Sequence, residues 1–179
     1  MASIEPWQLA EIPGPKKAAA ITRPEVIDAL LKRSTRPVLV IGHRAEDIQI
    51  GDRKMIDHLI DMAEARGIPV IATADTNRAL LERGYTQATI MPAVDVGQRL
   101  TDPEWAGLDG KGPYDLAFFA GLPYNMAATI LNGLKHYAPQ VRTVSLDTGY
   151  QPNASFSFTN CPAKEWLEKM GPVIGHKGG

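Results

Sequence analysis

The sequence predicts a doubly wound α/β fold, a mainly parallel sheet of five to six strands with helices on both faces. Three observations predict it. Short apolar, β-branched runs recur, as in Val38 to Ile41 and Ile68 to Ala72; amphipathic stretches of helical period separate them, clearest over Arg53 to Arg66; and Gly42, Gly67 and Gly84 stand where those elements should stop. Continuous apolar strands suit burial on both faces, and strands alternating with helices connect by right-handed crossovers into a parallel sheet.

In chain order, Pro6, Pro13, Gly14 and Pro15 around Trp7, Leu9 and Ile12 predict an extended arm over Met1 to Ala20, because proline fixes φ and removes a backbone donor. A single domain follows over residues 21–175, with a flexible tail at 176–179. Pro24 opens a helix whose Val26, Ile27, Leu30 and Leu31 recur at helical spacing to Ser34, and Arg36-Pro37 ends it. Val38 to Ile41 is the first strand. From Arg53 to Arg66, Met55, Ile56, Leu59, Ile60 and Ala63 form one stripe opposite Lys54, Asp57, His58, Asp61 and Glu64, and Gly67 is placed as a C-terminal cap. Ile68 to Ala72 is a second strand, after which Asp75 or Thr76 caps a helix reaching Arg83. Ala88 to Met91 gives a third strand, Val94 to Leu100 a helix, and 101–113 a loop rich in Gly, Pro and Asp. Leu116 to Ala120 is a fourth strand, Pro123 to Tyr137 a helix with Met126, Ile130, Leu131 and Leu134 inward, and Val141 to Leu146 a fifth strand. A last helix over Pro162 to Met170 buries Trp166, Leu167 and Met170.

Composition narrows the function. At 179 residues the chain can bury roughly 70% of its unfolded surface in one core. A formal charge of −1 gives no electrostatic reason to bind nucleic acid or membrane. The first residues lack a basic start followed by an apolar run, and no stretch approaches a membrane span, so a cytoplasmic location is expected. Cys161 is the one cysteine, which excludes an internal disulfide and a self-contained iron-sulfur cluster. No metal site and no catalytic residue are expected.

In such sheets ligands sit outside the carboxyl ends of the strands. That edge holds His43 and Arg44, then Thr73, Asp75, Thr76 and Asn77, then Gly121 to Asn125, then Asp147, Thr148 and Gly149. If a flavin or nucleotide binds, the expected contacts are Gly42, Arg44, Gly121, Leu122 and Asp147: glycines for close backbone approach, Arg44 for phosphate charge, Asp147 for a ribose hydroxyl. The same residues also suit the turns and caps of any α/β domain. Neither the G-x-G-x-x-G fingerprint nor the G-x-x-x-x-G-K-[ST] loop is present. His43 lacks a partnering serine or cysteine nucleophile; His58 is expected on a polar helix face, Asp57 and Asp61 as solvated acids, and Cys161 in a capping or packing role.

Four segments carry a family likeness: Arg36 to Asp47 (RPVLVIGHRAED), Gly67 to Gly84 (GIPVIATADTNRALLERG), Ala120 to Asn125 (AGLPYN) and Val144 to Phe158 (VSLDTGYQPNASFSF). Over nearly the whole chain the sequence resembles the epsilon subunits of archaeal acetyl-CoA decarbonylase/synthase complexes. Asn125 and Cys161 depart from the pattern, which has an aromatic and an aliphatic residue there. The resemblance implies an accessory subunit that stabilises the nickel-iron-sulfur alpha subunit of carbon monoxide dehydrogenase within the larger complex, in archaeal one-carbon metabolism and methanogenesis. That partner interconverts CO and CO2 and passes electrons to ferredoxin or a flavin. The first segment is also similar to the FAD/NAD-binding-like central domain of thiamine-diphosphate enzymes, which implies that FAD is the cofactor the chain could take, though it requires none. A homo-oligomer stays open, as does the alternative of a stand-alone flavin- or nucleotide-binding protein. A sirtuin-type or thiamine-type enzyme lacks support, since neither a four-cysteine zinc site nor a Gly-Asp-Gly element is present.

Overall fold

A computed structural model describes residues 17–73 and 75–174. Most of the expected arm, and the tail, lie outside the described residues. The elements follow in order: β1 (Ala19–Ile21), α1 (Glu25–Arg33), β2 (Pro37–Ile41), a 3-10 turn (His43–Glu46), β3 (Gln49–Ile50), β4 (Arg53–Lys54) and α2 (Met55–Arg66). Then come β5 (Val70–Ala72), α3 (Thr76–Glu82), β6 (Thr89–Ile90), α4 (Ala93–Thr101), β7 (Leu116–Ala120), α5 (Tyr124–Tyr137), β8 (Arg142–Ser145), β9 (Phe156–Phe158) and α6 (Ala163–Met170).

Seven strands make one sheet in the order β1-β9-β8-β7-β2-β5-β6, and every pair in it is parallel. Strand residues alternate between the two faces. Leu39, Ile41 and Phe118 join Ile27, Leu59, Leu80 and Trp166 in one core under α1, α2, α3 and α6, whereas Val38, Val40 and Phe119 join Val96, Leu131 and Leu134 under α4 and α5. The expected doubly wound α/β class is therefore the fold of the chain. From β2 the chain builds outward through β5 and β6, then α4 carries it back to β7 on the other side of β2. The crevice between the carboxyl ends of β2 and β7 is the topological switch point, where this architecture leaves room for a ligand.

The sheet exceeds the expected strand count because β1 and β9 are three residues each, β1 beginning with two alanines and β9 interrupted by a serine. In β9 the central Ser157 is 0% exposed, and its hydroxyl accepts the Gln151 N–H at 2.9 Å, so a polar residue sits where periodicity expects an aliphatic one. Ala19 and Ala20, placed in the arm by composition, pair with Phe156 and Ser157. Arg53 and Lys54, expected to begin a helix, form a hairpin with Ile50 and Gln49 instead. That hairpin and α6 cover one side of α2, which corrects the reading of His58. It is 7% exposed, its Nε2 lies 3.2 Å from the Ile50 carbonyl, and its ring is 5.7 Å from Trp166. Asp57 and Asp61 are not simply solvated either: Asp57 accepts from Arg83 at 2.7 Å and Asp61 from Arg53 at 2.6 Å. In α5, Met126 is 41% exposed and Ala127 takes the inward position expected of it.

Candidate functional site

At the switch point two backbones press together. The Gly42 N–H donates to the Ala120 carbonyl at 2.8 Å and the Arg44 N–H to the Gly121 carbonyl at 2.9 Å. A Cβ on Gly42 would lie 2.3 Å from the Gly121 oxygen, and one on Gly121 would lie 2.5 Å from the Ala45 nitrogen. Gly121 also has φ +72°, a left-handed conformation that residues with a Cβ rarely adopt. The 3-10 turn after β2 is thus seated directly on the turn after β7. Both glycines bring backbone close to backbone.

Asp147 follows the last residues of β8 and turns its carboxyl into this junction, where Oδ1 accepts the Gly121 N–H at 2.7 Å. Burial pushes its pKa up to about 6, against that hydrogen bond and the nearby Arg44 charge. Beside it lies a cleft of about 150 Å³ with Arg44, Leu122, Tyr124, Asp147 and Gln151 among its walls. Of the five residues expected to contact a ligand, the structure brings Arg44, Leu122 and Asp147 together in this cleft, with Gly42 and Gly121 beneath them as backbone.

Gln151 and Ile48 also line the cleft and were not anticipated. Gln151 is 2% exposed. Its Nε2 reaches the Tyr124 carbonyl at 3.5 Å, and its Oε1 has no hydrogen-bond partner among the described residues. The one signal for it in the sequence was a polar residue soon after the fifth strand. Ile48 had none, because it reaches the cleft only through the turn after β2. Arg44 is exposed and forms no ion pair among the described residues.

The cleft does not fit FAD as it stands. Small-molecule sites usually enclose roughly 300–1,000 Å³, about twice this cleft or more, and the space where a dinucleotide would cross the switch point is filled by the packed turns at Gly42 and Gly121. Elsewhere, no group of three or more His, Cys, Asp or Glu among the described residues is arranged to hold a metal ion. Cys161 is buried, and burial raises its thiol pKa, the opposite of an activated thiolate. It packs in the core with Trp166 and Phe158. His43 is exposed in the 3-10 turn.

Comparison with known proteins adds what geometry alone does not. Residues 1–174 match the family described as CO dehydrogenase beta subunit/acetyl-CoA synthase epsilon subunit. The chain is 37% identical over 170 residues to the acetyl-CoA decarbonylase/synthase complex subunit epsilon of Methanothermobacter thermautotrophicus, covering 93% of this chain and 94% of that protein. It is 36% identical over 156 residues to the subunit epsilon of Methanothrix soehngenii, covering 87% and 80%. Against subunit epsilon 1 of Archaeoglobus fulgidus the identity is again 36% over 156 residues, covering 86% and 80%.

Proposed function

The chain belongs to the CO dehydrogenase beta subunit/acetyl-CoA synthase epsilon subunit family, and from this premise we propose that it is a non-catalytic subunit acting through a nickel-iron-sulfur partner. The observation that carries the reading is the match along almost the entire chain to proteins named as epsilon subunits of the acetyl-CoA decarbonylase/synthase complex. In this reading the partner interconverts CO and CO2, and this chain stabilises it and assists electron delivery to ferredoxin or a flavin held elsewhere. One cysteine in the whole sequence supports it, because a cluster of the kind that chemistry needs takes several thiolates. A cytoplasmic location is part of the proposal; no helix among the described residues is long and apolar enough to cross a membrane.

The surface suits a partner. Ile90 and Val94 are 58% and 57% exposed, and Tyr124 and Met126 are half-exposed as well. Ile90 ends β6, while Val94 lies in the first turn of α4 and Tyr124 and Met126 in the first turn of α5, the two helices being packed on each other. Clustered apolar side chains of this kind mark interaction sites more often than isolated ones do. We place the partner on that edge. The test is size-exclusion chromatography of the chain mixed with the nickel-iron-sulfur subunit. A joint peak that disappears with Val94→Asp plus Met126→Asp supports the reading, and separate elution of the wild-type proteins overturns it.

A further inference from the structure

The cleft beside Asp147 carries a pattern of hydrogen-bonding groups that the fold does not consume. Asp147 uses Oδ1 on the Gly121 N–H, and its Oδ2 has no donor among the described residues. The Gln151 Oε1 is buried without a partner, although a buried acceptor left unpaired costs about 1–3 kcal/mol. At the rim stands the exposed Arg44, and Ile48, Leu122, Tyr124, Thr148 and Gly149 complete the wall. The cleft therefore presents acceptors inside and a cation outside. A complementary ligand has donors on its inner part and an anion on its outer part. A purely apolar occupant would leave the acceptors unpaired, a dicarboxylate would face Asp147 with like charge, and an ammonium ligand would meet Arg44.

We propose that this cleft binds a ribose phosphate group, supplied by a mononucleotide or by a free sugar phosphate, with ribose hydroxyls donating to Asp147 and Gln151 and the phosphate held by Arg44. The size agrees, since about 150 Å³ lies below the roughly 300–1,000 Å³ of a site that encloses a whole drug-sized ligand, which suits a sugar ring better than a dinucleotide. A carboxylate after a strand end receiving a ribose hydroxyl is a recurrent use of this edge of the sheet. The guanidinium offers the phosphate a planar fork of donors. Tyr124 is half-exposed and lines the same cleft as Gln151, its hydroxyl donating to the Tyr150 carbonyl across 3.5 Å. The proposal is independent of the subunit reading above.

The experiment is isothermal titration of the full chain with AMP, ribose 5-phosphate, 2′-deoxy-AMP, 3′-deoxy-AMP and inorganic phosphate. Binding of AMP or ribose 5-phosphate is expected, with at least one deoxy analogue weaker by about tenfold or more, because its missing hydroxyl leaves an enclosed acceptor unpaired. AMP more than tenfold tighter than ribose 5-phosphate identifies a nucleotide as the source; comparable affinities identify a sugar phosphate. Arg44→Ala, at an exposed side chain, should weaken every phosphate ligand, and Gln151→Leu should reduce the penalty for a missing hydroxyl. No heat at millimolar concentrations, inorganic phosphate binding as tightly as AMP, equal affinity for AMP and both deoxy analogues, or binding unchanged in Arg44→Ala each overturns the proposal.

Discussion

Asp147 should be a residue the fold would be more stable without. Its folded-state pKa is about 6, whereas an aspartate in an unfolded chain titrates near 3.9. The folded protein therefore binds this proton more tightly than the unfolded one, so raising the pH from about 4 to 6 costs stability, and the cost is constant above that window. A shift of roughly two pH units is worth at most about 3 kcal/mol at 1.36 kcal/mol per unit, and the partial solvent access of Asp147 reduces this to about 1–2 kcal/mol. Asp147→Asn keeps an amide oxygen to accept the Gly121 N–H, now bonded at 2.7 Å, and removes the charge. The variant should gain about 1–2 kcal/mol at pH 7.5, a rise of a few degrees in Tm, and nothing at pH 4. Urea unfolding of both proteins at the two pH values measures this. A less stable variant at pH 7.5, or an equal gain at both, would refute the account of Asp147 as a desolvated carboxylate. A destabilising charge kept at the cleft is what a ligand site would show.

Other perturbations test the same geometry. Gly42→Ala and Gly121→Ala should each cost more than about 3 kcal/mol, since the new methyl would meet backbone atoms 2.3 and 2.5 Å away; soluble variants with wild-type melting would show that the two turns are not locked together. Asp115 is partly buried, but hydrogen bonds from Ser34, Thr35 and Arg36 outweigh that burial and hold its pKa below the usual range. Asp115→Ala should therefore cost about 2–3 kcal/mol at neutral pH, and wild-type stability should fall as pH drops through that lowered value, a loss that the variant largely lacks. Trp166→Phe removes the indole N–H bonded to the Leu146 carbonyl at 2.6 Å and should cost about 1–3 kcal/mol in urea unfolding. FAD titrated into the isolated chain should leave flavin fluorescence unchanged to millimolar concentration, because the cleft is too small for it; tight binding would show that the turns over the switch point open.

The fold was legible where burial leaves a periodic trace. Val38 to Ile41 and Leu116 to Ala120 are buried on both faces and could hardly be other than central strands, and the stripe of α2 with its cap at Gly67, φ +61°, fixed that helix. What stayed hidden are elements whose burial comes from neighbours distant in sequence. β9 is a three-residue strand built around a buried serine, and β1 is recognisable only by the partner it pairs with. His58 looked solvent-facing because nothing near it in sequence reveals that α6 and Trp166 pack over that side of α2. The site followed the same rule: the strand-end argument places Arg44, Leu122 and Asp147 on one edge, but that Gly42 and Gly121 fill the crevice depends on a turn-on-turn contact between segments nearly eighty positions apart. Membership of the family was legible only through the likeness of segments such as Val144 to Phe158, because neither nucleotide-binding fingerprint is present in the sequence to announce a function by itself.

CO oxidation followed during heating, with the nickel-iron-sulfur subunit alone, this chain alone and the two mixed, tests the central claim most directly. The account predicts no activity from this chain, activity from its partner, and a longer half-life of that activity in the mixture. CO oxidation by this chain alone, or an unchanged half-life at saturating amounts of it, would contradict the account.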